Sequence, residues 1–388
     1  MQKKRIAYVV NNAAFFVSHR LPLAVASRAA GHDIRLFIGR AGSIPMEEYA
    51  AKQLDVAQFD YHRVAFRGAG INPIIELLGL LQLIWCLIKF KPDIVHCASP
   101  KGVLYGGIAA RLCGVPALVL AISGMGYAYT DYRNENNISR KLIRIAYGSM
   151  VRFSFYHPNV QVIVQNQDDY KSIVQSELVE QDCVTLIPGS GVDLSLFEGV
   201  TSAIKVRVVV LPARMLKDKG VEEFVEAVRR IKAFAPGWRF VLAGAAGYDN
   251  PSSIGVAQLH AWETEGCIEW LGHVDDMTTL FREAAIVCLP SYREGMPKAL
   301  LEAAAAGCAV VTTDVIGCRE AVEPGVTGDL VPVRDSQALA EALLSLIHDE
   351  QRRQAYGTNG QERARAMFSI ASVVSQTEEI YKGIWGDE

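Results

Sequence analysis

Hydrophobic positions along the 388-residue chain fall into two kinds of run, and the two kinds alternate. Short unbroken apolar stretches that end in a turn residue mark buried parallel strands, and longer stretches with apolar positions three and four apart mark helices packed on them. In the first half a strand over Arg5–Val10 feeds a helix over Leu21–Ala29, and a strand follows over Asp33–Ile38. A helix over Pro73–Lys89 leads to a strand at Asp93–His96, and further strands fall at Leu118–Ile122, Val160–Gln165 and Val184–Ile187. The stretch from Pro188 to about Ser202 holds Gly189, Gly191 and Gly199 without strong periodicity, and reads as a linker. The alternation then resumes. The β-branched run Val206–Leu211 opens a second sheet that reaches about Val331, and Val221–Val228 has the spacing of an amphipathic helix. Ala338–Ile347 and Ser372–Ile384 close the chain as helices. The pattern is α/β, with two βα-repeating, Rossmann-like sheets.

Composition agrees with a packed protein of two domains: half the residues are hydrophobic and 32 are Gly. The eight cysteines form no Cys-x2-Cys pair and lie mostly in apolar runs, as reduced buried thiols do in a cytosolic protein. Lys3-Lys4-Arg5 ahead of an apolar strand resembles the start of an export signal, but Asn11-Asn12 and His19-Arg20 interrupt it, which favours a first strand. No stretch is read as a clean membrane span. A net charge of −3 argues against a nucleic-acid partner.

Candidate chemistry gathers where strands of the second half hand over to helices. Ala285–Pro290 is a strand ending in Pro, Ser291–Gly295 makes a polar turn, and Pro297 stands where a helix opens into Lys298 and the apolar stretch beyond. The first N–H groups of a helix have no intrahelical acceptor and favour a phosphate, so Gly295, Met296, Pro297 and Lys298 form a candidate binding segment. Glu302 lies about two turns past Glu294, placed to accept hydrogen bonds from a ribose diol. Glu294 stays on the turn, facing whatever the phosphates carry. Arg214 and Lys219 flank the loop after Val206–Leu211, at the carboxyl edge where open parallel sheets bind ligands. Each of these residues alone reads as a solvated surface charge; in this order they suit a nucleoside diphosphate bearing a sugar.

Arg214-x4-Lys219-Gly220, then Glu294-Gly-x-Pro297 and Glu302, resembles the retaining glycosyltransferases of family 4. Leu271-Gly272-His273, Pro290-Ser291 and Glu302-Ala-x3-Gly307 leading into Val310–Thr313 agree with it. The resemblance implies a GT-B architecture, two Rossmann-like domains facing a central cleft. It implies that Arg214 and Lys219 neutralise the donor diphosphate, that Glu302 holds the ribose, and that Glu294 with the backbone after it faces the donor sugar. It also implies substitution on one face of the sugar, with the departing phosphate helping to take the acceptor proton, where a carboxylate nucleophile would be the simplest general route to retention. No Asp-x-Asp motif is present, and Asp168-Asp169 and Asp275-Asp276 stand at helix starts, where such residues cap. With two cations on the diphosphate, neither a metal nor another cofactor is expected. The corresponding domains are 1–200, binding the acceptor and facing a membrane; 201–370, binding the nucleotide sugar; and 371–388, a helix crossing back.

Signals for the acceptor are weaker. Asn12 sits in the loop after the first strand, where many relatives carry a glycine pair. His19 follows, as a cleft residue or a surface histidine near a helix start. His96, at the end of its strand and before Ser99-Pro100-Lys101-Gly102, suits acceptor or phosphate contact or a structural hydrogen bond. Gly124 lies in the turn Ser123–Tyr127, where glycine lets a ligand approach the backbone.

Two stretches point to a membrane. Ile71–Lys89 is apolar around its circumference, as a helix at a lipid surface or one packed on both sides would be, and Ile138–Tyr156 mixes four cations with aromatic and aliphatic residues and no acid. Residues 1–198 carry 20 Lys and Arg against 16 Asp and Glu, the remainder 19 against 26, so the first domain is the one drawn to anionic lipid. The resulting expectation is a cytoplasmic enzyme, peripheral on the inner face of the membrane. It moves a hexose or N-acetylhexosamine from a nucleotide sugar, UDP before GDP, to a polyprenyl-diphosphate-linked saccharide in surface-glycan assembly. A nucleotide-sugar 2-epimerase on the same scaffold and a non-catalytic nucleotide-binding subunit are the alternatives.

Overall fold

The computed structural model describes residues 3–40, 44–67, 72–124, 138–202, 205–247 and 250–386, with the side chains of all but 44–46, 67 and 138–146. The chain forms two compact units: one up to Ser190 together with Val373 onward, the other Gly191–Ser372.

The first unit runs β1 (Arg5–Val10), α1 (Ala13–His19), α2 (Leu21–Ala29), β2 (Asp33–Arg40), α3 (Ile44–Val56), β3 (Tyr61–Arg67), α4 (Pro73–Phe90), β4 (Ile94–Ala98), α5 (Pro100–Leu112), β5 (Ala117–Ile122), α6 (Ile138–Phe155), β6 (Val160–Val164), α7 (Gln167–Gln175) and β7 (Val184–Leu186). Among the described residues its sheet has seven strands in the order β3-β2-β1-β4-β5-β6-β7, all parallel. The period of two along β1 explains its two-sided core. Ala7 and Val9 point into the layer built by α4 to α7, with Leu83, Ile108, Val151 and Ile173. Ile6, Tyr8 and Val10 point into the opposite layer, with Phe16 and Leu23.

The second unit runs β8 (Val206–Pro212), α8 (Val221–Ile231), β9 (Arg239–Ala243), α9 (Val256–Thr264), β10 (Glu269–Trp270), α10 (Met277–Glu283), β11 (Ala284–Leu289), α11 (Lys298–Ala305), β12 (Ala309–Thr313), α12 (Cys318–Ala321), β13 (Gly328–Val331), α13 (Ser336–His348) and α14 (Glu350–Met367). Its parallel sheet has the order β10-β9-β8-β11-β12-β13 among the described residues. In α8 the buried residues Val221, Phe224, Val225, Val228 and Ile231 repeat at helical spacing, and every residue of β11 is buried. Strand order reverses between β1 and β4 in the first sheet and between β8 and β11 in the second. Each reversal opens a crevice at the carboxyl ends of the strands.

Residues 191–202 are not a loose connector. Val192 donates its N–H to Phe368 and accepts from Ile370, and Phe197 is buried in the second unit's core, so the division expected near residue 200 falls at Ser190/Gly191. The last helix, α15 (Ile370–Trp385), counts with the first unit from Val373 and buries Val373, Thr377 and Tyr381 there.

Among the described residues α4 is long and apolar enough to cross a membrane, whereas the sequence is expected to hold no clean span. It is not packed on both sides, because its outward residues are exposed. Of the basic stretch 138–156, the side chains of Arg140, Lys141 and Arg144 lie outside the described residues, as do Ile71 and the turn residues Met125–Tyr127.

Candidate active site

The loops after β8 and β11 meet at the second sheet's crevice, and backbone contacts decide how closely. Past β8, Ala213 donates its N–H to Ala243 and Met215 donates to Ala245, which pins the loop to the end of β9. A one-turn helix at Lys217–Lys219 then ends at Gly220, whose φ of 70° is in the left-handed region. A Cβ on Gly220 would run into the Pro290 carbonyl, so glycine here brings Lys219 against the β11 loop. The Tyr292 N–H donates to the Asp218 carbonyl and closes the contact from the other side.

Lys219 Nζ donates to Glu294 Oε1 at 2.5 Å, with both side chains about 15% exposed. The same oxygen accepts from Ser291 Oγ at 2.8 Å. Ser291 is fully buried, and its carbonyl accepts the Thr313 hydroxyl, while Thr312 Oγ1 donates to Leu289 at 2.6 Å. Two threonines of β12 thus fasten the end of β11, and the turn that carries Glu294 hangs from them. Behind the turn, Gly317 has φ 81°, and a Cβ there would lie 2.5 Å from the carbonyl oxygens of both Glu294 and Gly295. Cys318 is buried next to this turn, and burial, with the nearby Glu294 charge as the next cause, pushes its thiol up to about 12. It is a packing group at neutral pH.

Arg214 is exposed on the β8 loop at the same edge. Pro297 is buried at the N-cap of α11, and Met296 packs against the core beside it. Lys298 Nζ lies 3.3 Å from Glu302 one turn on, both about a quarter exposed. Lys219, Glu294, Gly295, Met296, Pro297, Lys298, Glu302 and Arg214 therefore share one edge of one unit: two cations, two carboxylates, a further lysine and a helix opening. Tyr292 adds a wall. Its Oη donates to Glu223 at 2.6 Å, Arg334 lies over its ring at 4.6 Å, and burial with the Glu223 contact pushes its phenol up to about 12.

In the first unit the structure corrects one assignment. β4 continues to Ala98, so His96 is mid-strand rather than at its end. It is 1% exposed, with Nδ1 2.7 Å from Tyr381 Oη and its ring beside Tyr8. Burial, then the Arg20 charge, holds its pKa well below the usual histidine range. A neutral ring enclosed by α15 and the sheet is a core group and not a catalytic one. Asn12 caps α1 by accepting the Phe15 N–H at 2.8 Å. The neighbouring Asn11 accepts the Gly102 N–H on its side-chain oxygen and donates its own backbone N–H to the Ser99 hydroxyl oxygen, which bridges the β1 and β4 loops at the first crevice. His19 is half-buried, stacked edge-on against Phe15, with Nδ1 3.5 Å from Ser190 Oγ just past β7. Gly124, φ 110°, follows β5 at the same edge. Gly317 is not singled out by the sequence, and Ser291 enters there only as the start of the polar turn and in Pro290-Ser291; its three-residue spacing to Glu294 on a turn is the signal for their contact.

Known proteins share this arrangement of sheets. Residues 5–166 match the family described as glycosyl transferase 4-like, and residues 206–349 match glycosyl transferases group 1. The N,N'-diacetylbacillosaminyl-diphospho-undecaprenol alpha-1,3-N-acetylgalactosaminyltransferase of Campylobacter jejuni subsp. jejuni serotype O:2 is 26% identical over 377 residues, covering 93% of this chain and 94% of that protein. The UDP-Gal:alpha-D-GlcNAc-diphosphoundecaprenol alpha-1,3-galactosyltransferase of Escherichia coli is 26% identical over 329 residues, 80% of each. The crystal structure of Anabaena Alr3699/HepE in complex with UDP and glucose has the same fold, with a TM-score of 0.77 at 18% identity over 98% of this chain and 100% of that one. With a 4-like first half and a group 1 second half, each on its own parallel sheet, the chain belongs to the GT-B glycosyltransferases.

Proposed function

We propose that this glycosyltransferase is retaining, takes a hexose or N-acetylhexosamine from a nucleoside diphosphate, UDP in the first instance, and delivers it to a saccharide on a polyprenyl diphosphate. The observation that carries the reading is the Lys219–Glu294 contact at the second sheet's crevice, between Arg214 and the opening of α11. In the donor complex Lys219 and Arg214 meet the diphosphate, Glu302 takes the ribose, and Glu294 turns to the sugar hydroxyls. The bond from C1 to the β-phosphate oxygen breaks while the acceptor oxygen bonds C1 on the same face. The acceptor proton passes to the leaving phosphate. Negative charge grows on that phosphate in the transition state, so preorganised cations there lower the barrier. With the diphosphate met by two cations, transfer proceeds without a divalent ion.

Both relatives named above carry undecaprenyl diphosphate and an alpha linkage in their names, and the second names UDP-Gal. Hexoses on UDP are commonly α-linked, and an α product from such a donor means retention. At the first unit's carboxyl edge, His19 and Gly124 border the acceptor, and Asn12 acts by holding α1. The enzyme works from the cytoplasmic side, peripherally, on an anionic membrane.

The test is nucleotide release by the purified protein in EDTA, over a panel of UDP- and GDP-sugars, with and without a polyprenyl-diphosphate monosaccharide. Release that requires one donor and the lipid acceptor together supports the proposal. Isomerised sugar or release without acceptor favours an epimerase, and turnover only after adding magnesium would end the metal-free part of the reading.

A further inference from the structure

Below the first sheet's crevice lies a charge without a counter-charge. Arg20, at the corner between α1 and α2, is 4% exposed. Its Nη1 donates to the His19 carbonyl at 3.0 Å, and its Nε is buried without a hydrogen-bond partner. Among the described residues no carboxylate comes within ion-pair distance of it, whereas Arg229, Arg239 and Arg352, all far more exposed, each hold one at 2.6 Å. The groups around Arg20 are neutral. Tyr8 Oη and Tyr381 Oη lie 3.2 Å apart, Tyr381 Oη meets His96 Nδ1 at 2.7 Å, and both phenols and the imidazole sense the Arg20 charge. Glu378 of α15, whose charge acts on both phenols, is half-exposed and makes no ion pair with Arg20.

Burying an ion without a counter-ion is costly, and a guanidinium cannot shed its proton to escape the cost. Burial pulls Arg20 below the usual arginine range and still leaves a cation at neutral pH. A link to phenols and a carbonyl needs a donor but not a charge, and a neutral amide would supply that donor more cheaply. Position gives the charge a use. Tyr8 and His96 are register partners on β1 and β4, the two strands between which the order of the first sheet reverses. Tyr8 is two residues short of the end of β1, so its neighbour Arg20 lies within about 10 Å of the carboxyl edge. His19, whose carbonyl Arg20 holds, reaches Ser190 at that edge. Salt screens a buried charge little, so its field extends into the crevice.

We propose that Arg20 selects the acceptor by its charge: it gives the first crevice a fixed positive potential that favours an acceptor carrying a diphosphate over an uncharged one. It acts from below, without touching the ligand, and is therefore a specificity-determining residue and not a catalytic one. Its second task, through the His19 carbonyl, is to keep in place the ring that borders the acceptor. An exposed arginine would serve less well, because water and salt screen it within a Debye length. The inference rests on the acceptor lying at this crevice, as in the proposed function, and it names the charge on that acceptor as the feature read.

The experiment offers the full chain two water-soluble acceptors bearing the same saccharide, one on a short-chain polyprenyl diphosphate and one on an uncharged alkyl group. The readout is the ratio of kcat/KM for the charged acceptor to that for the uncharged one. A unit charge about 10 Å from a phosphate, at an effective dielectric constant of about 20, shifts binding roughly tenfold, so the ratio should fall about tenfold in Arg20→Met. Arg20→Lys keeps the charge and should keep most of the ratio. Arg28→Met removes an exposed cation from the same unit and should leave the ratio near wild type. Ser27→Asp sets a carboxylate beside Tyr8 in the same buried layer and should lower the ratio as Arg20→Met does, so it carries the comparison if Arg20→Met fails to fold. An unchanged ratio in the folded variants, an equal fall in Arg20→Lys and Arg20→Met, or a fall in UDP affinity in place of the ratio overturns the proposal. Binding of a short-chain polyprenyl diphosphate without saccharide, titrated calorimetrically with UDP at saturation, is measured alongside. If the wild type transfers to neither acceptor, the transferase reading fails and this binding decides: about tenfold weaker in Arg20→Met or Ser27→Asp supports the selecting charge, and equal binding overturns it.

Discussion

Replacing Lys219 with Met keeps the aliphatic stem and removes the charge that lies 2.5 Å from Glu294. Two quantities change, for different reasons. Breaking a fully buried ion pair by deleting one partner costs about 3–5 kcal/mol; this pair keeps about 15% exposure and Glu294 retains the Ser291 hydroxyl, so about 1–2 kcal/mol is the scale. At about 2–4 °C per kcal/mol for a unit of this size, the unfolding midpoint drops by several degrees. The barrier to transfer rises more, because the lost cation faces the phosphate whose charge grows in the transition state. About 3 kcal/mol there lowers kcat/KM by a hundredfold or more. Lys219→Met/Glu294→Gln separates the two effects, since removing both charges returns the stability and leaves the diphosphate without its cation. The assays are thermal unfolding by circular dichroism and nucleotide release at saturating acceptor. Recovery of wild-type turnover in the double variant would refute the reasoning, because Lys219 would then serve only to neutralise Glu294.

Three other outcomes are expected. Ser291→Ala removes the hydroxyl on Glu294 Oε1 and should lower kcat about tenfold, from a net hydrogen bond of about 1.5 kcal/mol, with Ser291→Thr retaining more activity than Ala; equal loss in both would point to packing instead. Gly317→Ala places a methyl group against the carbonyls of Glu294 and Gly295 at φ 81° and should lower both stability and kcat/KM by tenfold or more, whereas Gly325→Ala, also at positive φ but in open space, should lose stability only; equal turnover in both would break the link between Gly317 and the turn. His96→Gln should keep kcat and lose stability. Burial lowers the pKa of His96, His32 and His157, so the unfolded chain binds protons near pH 6.5 that the folded chain refuses. Stability is therefore full above about pH 6.5 and falls below it by up to about 1.4 kcal/mol per pH unit for each group. Urea unfolding at pH 7.5 and 5.5 should show a smaller drop in His96→Gln than in wild type, and an unchanged drop would remove His96 from the account.

The βα alternation, the strands with their glycine and proline exits, and the cations and carboxylates that follow β8 and β11 are legible in the amino-acid order. These are local properties: burial on both faces makes β11 continuously apolar, and helical rise sets the distance from Glu294 to Glu302. Some elements left little local trace. Helix α14 is polar along most of its length and packs through Gly357, Gly360 and Ala364, so no large hydrophobic repeat announces it. Tertiary structure alone decided the rest. Whether His96 ends a strand or sits inside one depends on where β1 and β5 stop pairing with β4, and its partner Tyr381 is 285 residues away. Ser291 reaches Glu294 only because β12 and Gly317 shape the turn from outside it. The outward stripe of α4 has the composition of a helix buried on both sides. Only the absence of a further layer over those described residues exposes it, and how many layers a fold stacks is set by long-range packing, which no local pattern of side chains encodes.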